Sequence, residues 1–247
     1  VKVKSSPGPG QTPGADTAPV IVTYSNATQV ALSTNLPFLQ VTNRFLDRRE
    51  FKTNLTTQID IGLYKSWLTN ASGPVRQKYF NDGTNFPTIL YVADNRALGP
   101  YQMTGVRLTN GIALPENGGL GFSVATPNPL CVCGNYNCTN AALLGTTNVF
   151  SGVATAALFS DALTILSSHW SDANSLHSSY ATGFSSWKAN DTTVNAAILT
   201  GIVPSTGTDS AHFSGGVHNF ARLLEDWTGY KLTMNTAFIN LFNSRQA

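Results

Sequence analysis

From residue 86 onward the chain is a run of short apolar segments, each closed by Asn, Asp or Gly. They read TILYVADN, GVRLTNG, LGFSVATPN, LCVCGNYN and TNVFSG, then DALTILSSHW, VNAAILTG and KLTMNTAFINLF. Strand-forming side chains separated by turn residues at short intervals specify a mainly β chain. The centres Ile89, Val106 and Phe122 lie 16 to 17 residues apart, close to one coil of a β-helix, before the period breaks. The expected architecture is a right-handed β-solenoid (β-helix)-like body with one or two covering helices. In it each rung buries alternate side chains and the Asn and Gly residues turn the corners. A β-sandwich with irregular loops is the alternative.

The domain plan is simple. Residues 1–19, VKVKSSPGPGQTPGADTAP, are rich in Pro, Gly, Ser and Thr and read as a flexible tether. Residues 20–247 read as one β-rich domain, opening on strands around 20–33. Two stretches have helical spacing. Ile61, Leu63, Tyr64, Trp67 and Leu68 share a face that ends near Asn70, with Gly73-Pro74 beyond. Phe220, Leu223, Leu224 and Trp227 fall at i, i+3, i+4 and i+7, which predicts a covering helix near 219–228. Asn219 would cap its start and Gly229 its end, and Arg222 would pair with Glu225 or Asp226.

Charge narrows the partners. Only 11% of residues are charged, against about 25% in ordinary globular chains. Thr, Ser and Asn carry the polar share instead, which suits β-structure and an extracellular surface. No Lys/Arg stripe suggests nucleic acid: Arg44, Arg48, Arg49 and Lys52 are interleaved with Asp47 and Glu50 and read as a solvated, self-paired patch. No apolar run reaches the roughly 18 residues of a transmembrane helix, and no signal-peptide pattern opens the sequence. N-glycosylation sequons occur at Asn26, Asn54, Asn70, Asn137 and Asn190; in a chain so rich in Asn and Thr they carry little weight.

The stretches GVRLTNGIALPENGGLGFSVATPNPL with the following GNYN, SDALTILSSHW, TTVNAAILTGIVPS and FSGGVHNFARLLEDWTGYKLTMNTAFINLF span most of residues 100–242. Together they resemble a family of uncharacterised large envelope or surface proteins of Gram-negative bacteria, often made with type IV pilin-like N-termini. The resemblance implies extracellular or outer-surface display and a β-rich, solenoid-like body. It implies no reaction and no catalytic residues. The chain departs from the family in lacking the pilin-type leader, in carrying Cys131 and Cys133 where an aromatic is usual, and in having His218 where an acid is expected. It stops at LFNSRQA, as a fragment would.

The three cysteines admit several readings. Cys131 and Cys133 are two apart on an expected strand, so their side chains face the same way. The preferred reading is that they and Cys138 are reduced and buried. A Cys133–Cys138 bridge across the turn is the second, and a metal site, which would need a fourth ligand, the third.

Candidate chemistry gathers in TDSAHFSGGVHNFARLLEDW, residues 208 to 227. Asp209, His212, Ser214 and His218 form the catalytic candidate, with Ser210 as a second possible nucleophile. An imidazole can take a serine proton near neutral pH while a carboxylate holds its tautomer. That reading describes a secreted hydrolase acting on an ester, lactone or glycan. Weighing against it, one ten-residue loop rarely lets three such side chains converge, and H-x5-H is not a recognised ligand spacing. A polar loop entering a covering helix is preferred. No cofactor fingerprint occurs, and a divalent metal on the two imidazoles is the one such group these residue types admit. Ser185 with Lys188 is a weak S-x-x-K match, and His169 and His177 read as turn histidines. Asp60, Asp82, Asp94, Glu116, Asp161 and Asp172 are too scattered to pair as a glycosidase would require. Trp67, Trp170, Trp187 and Trp227 would stack sugars only if exposed. The function expected is therefore structural or adhesive work at a cell surface. A glycan or other cell-surface polymer is the expected partner, and self-association through exposed ends is a further expectation.

Overall fold

Thr, Val, Ile and Leu dominate the short segments, and extended backbone suits side chains branched at Cβ. The computed structural model describes residues 2–4, 20–25, 28–32, 36–70, 87–96, 98–115, 119–147, 151–176, 187–201 and 221–241. The early strands are β1 (Lys2–Lys4), β2 (Val20–Ser25), β3 (Thr28–Leu32), β4 (Leu39–Asp47) and β5 (Lys52–Asp60). After helix α1 (Ile61–Thr69) come β6 (Ile89–Tyr91), β7 (Gln102–Thr109), β8 (Phe122–Ala125) and β9 (Leu130–Cys133). Then follow β10 (Ala156–Phe159), β11 (Leu163–Leu166), a short helix α2 (Asp172–Leu176), β12 (Thr192–Asn195) and β13 (Ala197–Thr200). The last strands are β14 (Arg222–Leu223), β15 (Leu232–Asn235) and β16 (Phe238–Asn240). The strands expected around 20–33 are present as an antiparallel hairpin, β2 with β3. Within the expected tether, β1 pairs with β2, placing Lys2 opposite Val22.

The fold is mainly β with parallel and mixed sheets, and among the described residues none closes on itself. One sheet has the order β16-β13-β10-β8-β6, a second β14-β11-β9-β7-β5-β4, and a third pairs β12 with β15. Every pairing in these three is parallel except β4 with β5. From β6 to β11 consecutive strands alternate between the five-stranded and six-stranded sheets, and β12 and β15 supply a third side. Parallel neighbours need long connections, so partners within a sheet lie far apart in sequence. Ile89 pairs with Ser123 and Ser123 with Ala157, steps of 34 residues; Ala157 pairs with Ala197 and Ile198 with Phe238, steps of 40. The 16-to-17-residue spacing of Ile89, Val106 and Phe122 is thus the step from one sheet to the other, and not the distance between strands paired within a sheet.

The core lies between the sheets, where like positions stack. Leu90, Val124, Leu158 and Ile198 are successive register partners, each 1% exposed or less. On the facing sheet Leu130 pairs with Leu163 and Val132 with Ile165, each likewise 1% exposed or less. Helix α1 forms for reasons visible in its ends: the Asp60 carboxylate accepts from the Leu63 N–H at 2.8 Å, and the Asn70 N–H closes on the Ser66 carbonyl. It buries Ile61, Tyr64 and Leu68, with Trp67 packed beside Phe38, while Leu63 faces outward at 46% exposure despite its helical spacing. Close packing leaves no room for a side chain at Gly111, where a Cβ would sit 2.4 Å from the Tyr136 ring.

Asparagines turn one corner, stacked like the apolar residues. Asn137 takes the left-handed conformation (φ 58°), donates to the Ala154 and Asn195 carbonyls, and accepts from the Ala154 N–H. Asn195 donates to the Asn137 carbonyl, and Asn235 donates to the Asn195 side chain. Buried corner carbonyls thereby find donors that no ladder supplies.

The β4–β5 hairpin does not stay in its sheet's plane. Its register shifts between Gln40 and Asn43, and its tip crosses the outer face of the six-stranded sheet. Phe45 packs there on Cys131, Leu166 and Leu224, edge-on to Trp170. Arg48 stacks on Trp187 at 3.6 Å and Glu50 pairs with Arg222 at 2.7 Å. Asp47 is buried and accepts from the Arg49 and Glu50 N–H groups. This corrects part of the expected solvated, self-paired patch: Arg44, Arg49 and Lys52 are exposed, while Arg48 and Glu50 tie the hairpin to distant residues.

The helix expected near 219–228 is not formed where it is described. Ala221 has φ 45°, Arg222 and Leu223 are a strand paired with Thr164 and Ile165, and Asp226 bridges to Lys188. Extended alternation sends Leu223 toward the main core and Arg222 and Leu224 toward the hairpin, so parallel pairing overrides the helical spacing. Arg222 accordingly pairs with Glu50 instead of Glu225 or Asp226. Gly229 does take positive φ (88°), but in a turn between strands.

Candidate functional site

The sequence candidates Asp209, His212, Ser214 and His218, with Ser210, lie outside the described residues, as do Ser185 and His177. The described residues bring together a different polar group, where the end of β11, helix α2, Trp187–Lys188 and the Glu225–Asp226 segment meet. Here His169, Trp170, Asn174, Trp187, Lys188 and Glu225 line a small recess of about 50 Å³.

Its floor is a tightly joined pair. The Ser167 N–H and hydroxyl both donate to the Glu225 carboxylate at 2.6 Å, and the Ser167 oxygen accepts from the His169 N–H at 3.1 Å. Burial pushes the Glu225 carboxyl above its usual range, and the two Ser167 bonds oppose the shift. A serine donating to a carboxylate of raised pKa has the elements of a nucleophile and base. Ser167 is nevertheless fully buried, so no substrate reaches its oxygen. The pair secures the chain instead.

Neighbouring carboxylates are likewise committed. Asp226 pairs with Lys188 at 2.5 Å and accepts from the Thr228 N–H; the Lys188 bond, then Thr228, hold its carboxyl down to about 2. Asp172 makes a two-pronged bond to Arg107 at 2.6 and 2.8 Å and accepts from the Trp170 indole at 2.8 Å. Asp94 grips Arg96 and accepts from Thr57, all three buried. Asp60 caps α1. Of the scattered acids, Asp60, Asp94 and Asp172 are thus held by structural partners, and Asp82 and Glu116 lie outside the described residues.

The four tryptophans do not form one platform. Trp170 and Trp187 share the recess, whereas Trp67 lies against Phe38 and Tyr64 and Trp227 packs on the core. Arg48 covers one face of Trp187, a contact that sequence spacing gave no means of finding. The cysteines are free: Cys131 and Cys133 lie on the same, outward side of β9, and Cys138 is buried elsewhere. Burial pushes the Cys131 thiol to about 12 and Cys133 to about 11, against the pull of Arg107, so neither is a thiolate near neutral pH. Among the described residues no group of three or more His, Cys, Asp or Glu can hold a metal ion, and no helix is long and apolar enough to cross a membrane. Two sequons are closed by the fold: Asn54 is 1% and Asn137 2% exposed.

No family model matches the chain, and no curated protein and no solved structure matches it.

Proposed function

We propose that the chain is a right-handed β-solenoid module that does structural or adhesive work on an extracellular or outer cell surface. The observation that carries this reading is the run of parallel register partners through the five-stranded sheet while the chain visits the other sheets in between. Sandwiches pair their strands largely antiparallel, and right-handed crossovers are the rule for parallel strands. The asparagine stack and the low charge support the same reading, as does the resemblance to envelope proteins. For adhesion, the small recess of His169, Trp170, Trp187 and Lys188 sets indole surface beside polar groups and would take one protruding group of a glycan or related cell-surface polymer.

Two assays test this. Binding to a glycan array and to whole cells is expected for the native chain and weakened in His169→Ala, whose side chain is exposed at the recess. A panel of ester, lactone and glycan substrates, with and without divalent metal, is expected to show no turnover. Turnover lost in His212→Ala or His218→Ala would overturn the proposal in favour of a secreted hydrolase at residues 209–218.

A further inference from the structure

A second recess, of about 190 Å³, opens between α1 and the asparagine corner, lined by Lys65 from the helix and by Leu114, Asn137, Thr139, Val153 and Ala154 from the corner. The corner wall is fixed by its own bonds. The Asn137 and Cys138 N–H groups donate to the Gly111 and Ile112 carbonyls, and the Thr139 N–H donates to the Gly152 carbonyl at 2.8 Å. The Asn137 side chain holds Ala154 at both its N–H and its carbonyl. A wall so tied needs little ordering to receive a ligand. Lys65 is half-buried, and among the described residues its ammonium meets neither an ion-pair partner nor a hydrogen-bond acceptor. Its helical neighbours Ile61, Gly62, Leu68 and Thr69 carry no charge. The buried cations Arg96, Arg107 and Arg222, by contrast, each meet a carboxylate.

The geometry points to this recess as a binding site for a uronic acid, a sugar residue that carries one carboxylate. The inference rests neither on the recess at His169 nor on surface location. Several features select that chemistry. One ammonium balances one negative charge, whereas a phosphate group brings closer to two. The Thr139 hydroxyl already gives its proton to the Gly152 carbonyl, so its oxygen is left to accept from a ligand hydroxyl. Leu114, Val153 and Ala154 supply apolar surface for the C–H face of a sugar ring. The volume also exceeds what a bare anion needs, since one water claims only about 30 Å³.

The test is an NMR titration of the full chain with sodium glucuronate, with glucose as the uncharged comparison and sodium acetate as the one without a ring. Saturable glucuronate binding is expected, at least about tenfold tighter than either comparison. Lys65→Gln should weaken it at least about tenfold, as loss of a charged hydrogen bond does, and Lys65→Arg, which keeps the charge, should restore most of it. Thr139→Val, on the corner wall, should also weaken glucuronate and serves as the second variant if Lys65→Gln fails to fold. His169→Ala should leave glucuronate unchanged. The inference is overturned by an absence of saturable binding, by acetate or glucose binding as tightly as glucuronate, by indifference to both variants, or by loss in His169→Ala. Binding to a glycan array that depends on His169 is a separate result, so failure here is distinct from failure of the proposed function.

Discussion

Leu158→Ala tests whether the stacked core holds the molecule together. Leu158 is fully buried, with Val124 as register partner on one side and Ile198 on the other. Strands lie about 4.8 Å apart, so a truncated side chain leaves a gap its neighbours cannot fill without moving two ladders. The transfer loss for a buried leucine is roughly 1.5–3 kcal/mol, and the residual cavity brings the usual Leu→Ala cost to about 2–5 kcal/mol. With both stack neighbours held in parallel ladders, about 3–4 kcal/mol is expected. Ile89→Ala is the control: it lies on the same sheet, is 61% exposed, and should change stability by no more than about 0.5 kcal/mol. Urea unfolding followed by tryptophan fluorescence measures both, with the slope compared to confirm that the denatured state is unaltered. Adding Ile198→Val should show a coupling of at least about 0.5 kcal/mol, because adjacent stack members share the cavity. A Leu158→Ala loss no greater than that of Ile89→Ala would refute the stacked-core account.

At Gly111, alanine would place its Cβ 2.4 Å from the Tyr136 ring; a loss of about 1–3 kcal/mol in urea unfolding is expected. Asn137→Ala strips donors from two corner carbonyls and an acceptor from the Ala154 N–H, so the thermal midpoint should fall by an amount equivalent to about 2–4 kcal/mol. Stability should also vary with pH at two carboxylates, in opposite senses. The folded Glu225 carboxyl titrates above its ordinary 4.5, so its contribution is complete below 4.5 and is lost as pH rises through the folded value. Asp226 is depressed to about 2, so its contribution is present above 3.8 and is lost as pH falls through about 2. Unfolding measured from acid to neutral pH should therefore lose its downward slope in Glu225→Gln and its acid limb in Asp226→Asn; unchanged profiles would contradict both assignments.

Much of the strand pattern was legible because each short segment pairs β-branched or aromatic residues with a turn residue that ends it. Ile89, Phe122, Leu163 and Ile198 all fall in strands within segments marked by that pattern. Helix α1 was legible as well, since its cap and its spacing are local. The order of strands within the sheets was not. Adjacent apolar segments belong to different sheets, and connections of unequal length blur the true 34-to-40-residue step. Residues 222–224 misled for a related reason: Leu223 and Leu224 serve two separate cores on opposite sides of one strand, and together they imitate a helical face. The recess was legible only in its ingredients. His169, Trp187 and Glu225 are distant in sequence, and only parallel stacking sets them side by side.

The hairpin tip that crosses the six-stranded sheet has a mechanical consequence. Stacked parallel strands peel one at a time when pulled from an end, because each depends chiefly on its neighbour. The Glu50–Arg222 bond and the Phe45–Leu224 contact fasten the last strand of that sheet to an early part of the chain. Tension on the carboxyl-terminal side can peel β16 and β15 freely, but it must break this clasp before β14 and the strands behind it come away, so the hairpin guards the six-stranded sheet and leaves the last two strands to yield first.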